Sequence, residues 1–198
     1  MKLNRWSLFG LAFLVSFLGM LLVFFFQRPK PERAATGSAA PASAIATAHA
    51  FAPGIFVTEQ INESDVAEVR QRGYATLIDI RPDGEAANQV PSSTVQSSAQ
   101  ANQLAFYYIP VAHGDIPDSA VTALGEALAK SPRPVLLYCR SGRRAARTLS
   151  LYEASLPNGP DAAAILNMAR SAGQSADDLV PEINRRIALR KPAKGGAR

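Results

Sequence analysis

The sequence predicts an α/β domain with a mostly parallel central sheet flanked by helices, preceded by a transmembrane helix. Three observations predict it. From about residue 53, short apolar runs alternate with helix-length segments, the order a parallel sheet needs. Two of those runs, 75–80 and 134–138, are apolar almost throughout, as strands covered on both faces are. Residues 7–26 hold no charge over 20 positions. As a helix, that stretch is long enough to cross a hydrocarbon layer of about 30 Å.

The N-terminal segments read as a leader (1–6), an anchor (7–26) and an Ala/Pro-rich linker (27–52). A signal peptide usually has a shorter apolar core, with a small-residue cleavage site close behind it. Here Gln27, Arg28, Pro29 and Lys30 follow directly, and the nearest Ala-x-Ala sites end at Ala48 and Ala50. This favours an uncleaved single-pass anchor in the inner membrane. Lys2 and Arg5 nearly balance Arg28, Lys30 and Arg33, so the positive-inside rule decides little. The reading leans towards a periplasmic domain. The linker composition reads as a tether, because it cannot bury enough apolar surface to fold.

The domain proper is expected over 53–188, with a basic tail at 189–198. Residues 54–58 read as a short strand. A helix opens near Glu63, capped by Asn62 or Ser64, with Val66, Val69 and Tyr74 on its apolar side. The buried strand 75–80 follows, then a polar helix over 92–103 and a strand over 106–109. Val121, Leu124 and Leu128 set helical spacing within 119–130. The apolar strand 134–138 leads into a helix over 143–154. Two further helices are expected over 160–172 and 176–190.

Charge excludes one function class. Residues 53–184 carry ten basic and fifteen acidic side chains, and the last fourteen residues carry six basic and none acidic. The fold itself is mildly acidic, whereas a nucleic-acid-binding domain shows a basic face on the fold. No nucleic-acid partner is expected, and the tail reads as a solvated end. A single cysteine excludes an internal disulfide and a multi-cysteine zinc site. The two histidines, His49 and His113, lie far apart, so no metal and no cofactor is expected.

Chemistry concentrates where the strand 134–138 ends, at Cys139-Arg140-Ser141-Gly142-Arg143-Arg144. In open α/β sheets, ligands bind beyond the carboxyl ends of strands. A loop turning from strand into helix can aim successive N–H groups at an anion, and the helix start adds its own. Arg140, Arg143, Arg144 and Arg147 crowd around the sulfur, and such surroundings stabilise a thiolate. A small buried cysteine at a strand end is the plain alternative, but it has no use for so much positive charge. Nucleophile and anion cradle therefore read as one element, with Cys139 and Arg144 catalytic and Arg140, Ser141, Gly142 and Arg143 forming the loop.

These residues resemble the beta-lactamase hydrolase-like protein's phosphatase-like domain (DUF442), also described as a sulfur transferase family. Residues 77–85, with Arg81-Pro82-Asp83-Gly84-Glu85, resemble a second segment of that family. Ile109-Pro110-Val111 and residues 163–179, with Ala172-Gly173, resemble two more. The resemblance covers roughly 53–188 and implies a fold similar to dual-specificity and tyrosine phosphatases. Cysteine phosphatases carry Cys-x5-Arg, but the sixth residue after Cys139 is Ala145. Arg144 gives Cys-x4-Arg instead, which is similar to rhodanese-type sulfurtransferase loops. A shorter loop favours a smaller group at the cysteine, such as a persulfide sulfur, and Ala145 cannot help a thiolate leave as Ser or Thr does.

A phosphatase also needs a general acid on the loop after residue 110, where His113 and Asp115 are the candidates. Both also read as ordinary turn residues. Asp79, Arg81 and Glu85 stand at the neighbouring strand exit, either supporting the loop or forming a structural ion pair. The favoured expectation is sulfur transfer: a Cys139 persulfide formed from a small oxyanion or persulfide substrate and passed to an external thiol acceptor. Phosphomonoester hydrolysis through Cys139 is the alternative, and a non-catalytic anion-binding module at the membrane is the third.

Overall fold

The computed structural model describes residues 44–191. Five strands form one sheet, in the order β1-β2-β5-β3-β4. They are β1 (His49–Ala52), β2 (Ile55–Thr58), β3 (Thr76–Asp79), β4 (Ala105–Tyr108) and β5 (Val135–Tyr138). The last four run parallel, and β1 pairs antiparallel with β2. Six α-helices connect or cover them: α1 (Val66–Gln71), α2 (Ser92–Ala101), α3 (Asp118–Lys130), α4 (Arg143–Ser155), α5 (Ala162–Ser171) and α6 (Val180–Ala188). Short 3-10 turns precede α1 and α6, at Glu63–Asp65 and Asp177–Leu179.

Side chains along the strands alternate between two cores, because successive residues of a strand face opposite ways. Ile55, Val57, Ile78, Ile80, Val135, Leu137 and Cys139 pack against α3, α4 and α5. Leu77, Leu136 and Tyr138 pack the other way, against Val66 and Val69 of α1 and Val95 and Ala99 of α2. β3 and β5 are buried along their full length. This explains why both read as continuous apolar runs rather than alternating ones. A third cluster, Val121, Leu151, Ile165 and Ile183, joins α3 to α6 into one helical layer.

The fold class is corrected in one respect. The sequence places a transmembrane helix ahead of the domain, but among the described residues no helix is long and apolar enough to cross a membrane. The longest, α3 and α4, have 13 residues each. At 1.5 Å per residue, such helices reach about 20 Å, short of the hydrocarbon thickness. The stretch 7–26 that carried the expectation lies outside the described residues, as do the leader and most of the linker.

The domain also begins earlier than residue 53. A 3-10 turn at Ala44–Thr47 buries Ile45, and β1 follows at once. Nothing in the composition of 27–52 marks a strand. β1 exists because β2 offers it a ladder and Phe51 finds the core. At the other end, Arg190 is docked rather than solvated. Its guanidinium donates to the carbonyls of Glu153, Ala154, Gly159 and Pro160. A cation there satisfies carbonyls that the C-terminus of α4 leaves unpaired. Residues 192–198 of the expected tail lie outside the described residues.

Candidate active site

The site forms where β5 stops and α4 starts. Cys139 follows β5 directly and is buried, with 1% of its surface exposed. Gly142 ends the loop in a left-handed conformation, φ 80°, at the N-cap of α4. A side chain there would be strained, and its Cβ would press on Gln174 Nε2 at 3.0 Å and the Thr58 carbonyl at 3.3 Å. Gln174 braces the loop from outside by donating to the Ser141 carbonyl at 3.0 Å. Ser141 and Arg140 are exposed.

Above the loop lies a cleft of about 460 Å³. Arg140, Ser141, Arg143, Arg144, Arg147 and His113 line it, with Gly114. No carboxylate is among the lining residues. Arg144 belongs to both levels, because it lines the cleft and its charge also interacts with the Cys139 thiol.

Glu85 fixes Arg144 in place. The guanidinium donates from Nη1 to Glu85 Oε1 at 2.5 Å and from Nη2 to Oε2 at 2.7 Å, and Nη1 also reaches the Val111 carbonyl at 2.7 Å. Burial works against the charged guanidinium. The Glu85 hydrogen bond and the fields of Cys139 and Glu85 outweigh it and raise the Arg144 pKa. In return, the Arg144 hydrogen bonds hold Glu85 down at about 2, with Arg81 adding to them. Arg81 is buried and bonds both Glu85 Oε2, at 3.0 Å, and Gln60 Oε1, at 2.8 Å. Glu85 thus holds Arg81 and the loop arginine together.

The 81–85 segment is itself tied down. Asp83 caps α2, accepting from the Ser92 N–H and hydroxyl, both at 2.7 Å. Gln89 closes the turn by donating to the Pro82 carbonyl at 2.8 Å and accepting from the Glu85 N–H at 3.1 Å. Asp79, at the end of β3, accepts from the Arg81 N–H at 2.8 Å. Burial pushes its carboxyl up to about 6.

The other expected residues divide. His113 lines the cleft, with Nε2 3.9 Å from Glu85 Oε1 and a 73% exposed side chain. Asp115 is exposed, does not line the cleft, and makes no hydrogen bond or ion pair among the described residues. Tyr107 is half-buried against the core, and the exposed Tyr108 accepts from the Asp83 N–H at 2.9 Å. His49 lies in β1 rather than in a linker. Among the described residues no cluster of His, Cys, Asp and Glu could hold a metal ion. Sequence reasoning missed Gln60, Gln174, the Val111 carbonyl and Asp178 as parts of the site. Each contact joins segments far apart in the chain; Val111, Gln174 and Asp178 stand in segments that resemble the family, but nothing in those segments marks them as parts of the site. Arg147 differs, since it stands in sequence among the four arginines that crowd around Cys139.

A sequence model of the family "Beta-lactamase hydrolase-like protein, phosphatase-like domain" matches residues 48–156, from β1 to the end of α4. The chain belongs to that family. Beta-lactamase hydrolase-like proteins from Xylella fastidiosa (strain Temecula1) and Agrobacterium fabrum are 33% and 30% identical to it. The alignments cover 49% and 45% of this chain but only 22% and 20% of those proteins. The chain therefore matches about a fifth of the length of these relatives.

Among solved structures, a candidate phosphatase from Neisseria meningitidis superposes with a TM-score of 0.63 at 22% identity, covering 71% of this chain and 98% of that one. A DUF442 candidate phosphatase from Shewanella putrefaciens gives 0.53 at 19%, covering 76% and 92%. The catalytic core of the PP-IP phosphatase SIW14 from S. cerevisiae gives 0.52 at 14%, covering 72% and 91%. At these identities the likeness establishes the fold, an α/β phosphatase-like domain of the family. The family description and these neighbours carry a phosphatase label. None carries a sulfurtransferase or rhodanese label.

Proposed function

We propose that this phosphatase-like domain hydrolyses phosphate esters through Cys139. The observation that carries the reading is Arg144. This buried guanidinium is locked bidentate by Glu85 and lines an arginine-rich cleft, on the loop-to-helix turn that follows Cys139. Preorganised charge of this kind is what stabilises a transferring phosphoryl group.

The Cys139 sulfur attacks phosphorus, and the ester oxygen leaves with a proton. His113 is the cleft residue able to supply that proton, since it lines the cleft and Asp115 does not. Arg144, Arg140 and the loop N–H groups hold the phosphoryl oxygens. Water then cleaves the S–P bond, releasing inorganic phosphate and returning the thiolate. Turnover of an aryl phosphate that falls by roughly a thousandfold or more in Cys139→Ser supports this reading. Unchanged turnover in that variant overturns it.

Sulfur transfer through the same cysteine is the second reading, and the Cys139-x4-Arg144 spacing favours it. In that case the Cys139 thiolate takes the outer sulfur of thiosulfate and expels sulfite, an external thiol takes that sulfur as its own persulfide and returns the thiolate, and aryl phosphate is untouched.

A further inference from the structure

We propose that the cleft takes substrates with two anionic groups, the second held by Arg147, one helical turn beyond Arg144, together with Arg143. This rests on the anion-binding reading of the Cys139 loop and names the substrate class of that site.

A single phosphoryl group is already served by Arg144, Arg140 and the loop. The cleft carries two further guanidiniums and no lining carboxylate. Its volume of about 460 Å³ lies well beyond one phosphate and within the usual range of small-molecule sites. Arg147 stands three residues after Arg144 on α4. Side chains so spaced share a helix face, with Cβ atoms about 5–6 Å apart. That spacing suits a diphosphate or two phosphates on adjacent carbons.

The outer arginines are held differently from Arg144. Asp178, on the turn before α6, accepts from Arg147 Nη2 at 2.6 Å and lies 3.7 Å from Arg143. Its side chain is 47% exposed. Exposed ion pairs of this kind contribute under about 1 kcal/mol, so a ligand can displace it. The donor of Arg147 that a ligand would take over is therefore Nη2, now held by Asp178, on a side chain that lines the cleft. Asp178 is then the intramolecular occupant that the second anionic group replaces.

The test is calorimetric titration of the full chain with methylphosphonate and with methylenebisphosphonate, in the wild type, Arg147→Gln and Asp178→Asn. The proposal expects the bisphosphonate to bind at least about tenfold more tightly in the wild type. Arg147→Gln should bring that ratio below about threefold, and Asp178→Asn should raise it. Reading a ratio within each variant cancels any general loss of active protein, and Asp178→Asn covers the case in which Arg147→Gln does not fold. Equal affinities in the wild type overturn the proposal, as does a ratio that neither variant moves. Binding needs no turnover. A preserved ratio without aryl phosphate hydrolysis therefore overturns the phosphatase reading alone. Hydrolysis with a ratio near one overturns only the second site.

Discussion

Arg144 and Arg147 lie one turn apart on α4, yet the fold treats them in opposite ways. Arg144 is 7% exposed and gripped by a carboxylate that is itself 17% exposed. Arg147 is 14% exposed, but its carboxylate partner Asp178 is 47% exposed, and one of its nitrogens has no partner. The inner guanidinium is thus fixed before any ligand arrives, and the outer one is only lightly held. Exposure of the partner, rather than of the arginine, separates a positioned guanidinium from an adaptable one. The inner pair belongs to structure and chemistry together; the outer pair should matter little to stability.

The comparison is broken most severely at Glu85. Glu85→Gln leaves two buried guanidiniums without their charge partner, and losing one partner of a buried pair costs about 3 kcal/mol. Urea denaturation should show that loss, and aryl phosphate turnover should fall by roughly a hundredfold as Arg144 loses its orientation. The pH dependence follows from the sign of the shift. Glu85 is held at about 2, below its ordinary 4.5, so its contribution is present above about 4.5 and lost as pH falls through about 2. The variant should lack that acid limb.

Asp79 sharpens the contrast from the carboxylate side. It lies six residues before Glu85 and is more deeply buried, but it accepts a backbone N–H where Glu85 has two guanidiniums. Its pKa is raised from 3.8 to about 6. The sign is therefore reversed. The unfolded chain loses this proton first, so wild-type stability should fall as pH rises from about 4 through about 6. Asp79→Asn keeps an acceptor for the Arg81 N–H and removes that slope, a difference of about 3 kcal/mol across the window. Thermal melts from pH 4 to pH 7 should show a flatter profile for the variant; parallel profiles would contradict the assignment.

The smallest stability effect is expected at the outer pair. Asp178→Asn should shift urea stability by less than about 1 kcal/mol. A loss as large as that of Glu85→Gln would erase the distinction between the two layers.

Much of this was legible in the sequence, and the limits have physical causes. β3 and β5 announced themselves because burial on both faces leaves only apolar residues. The loop announced itself because a cysteine among arginines has no structural use. Glu85 was visible through the Arg81-Pro82-Asp83-Gly84-Glu85 segment, although its grip on Arg144 spans 59 residues of chain and no local pattern encodes it. β1 was invisible because His49–Ala52 carries linker-like residues and is made a strand by its neighbour. Asp178 and Gln174 were invisible because only the packing of α5 and α6 brings them to the loop. The choice of reaction shifted as well. Loop spacing pointed to sulfur transfer, whereas the locked guanidinium, the cleft and the family point to phosphoryl chemistry.

The central claim, that Cys139 takes up a phosphoryl group, is tested most directly by intact mass of the acid-quenched full chain during aryl phosphate turnover. The account predicts a fraction carrying one added phosphoryl group, located on Cys139 by peptide mapping and absent from Cys139→Ala. Turnover that leaves no phosphoryl group on Cys139 and persists in Cys139→Ala would contradict it.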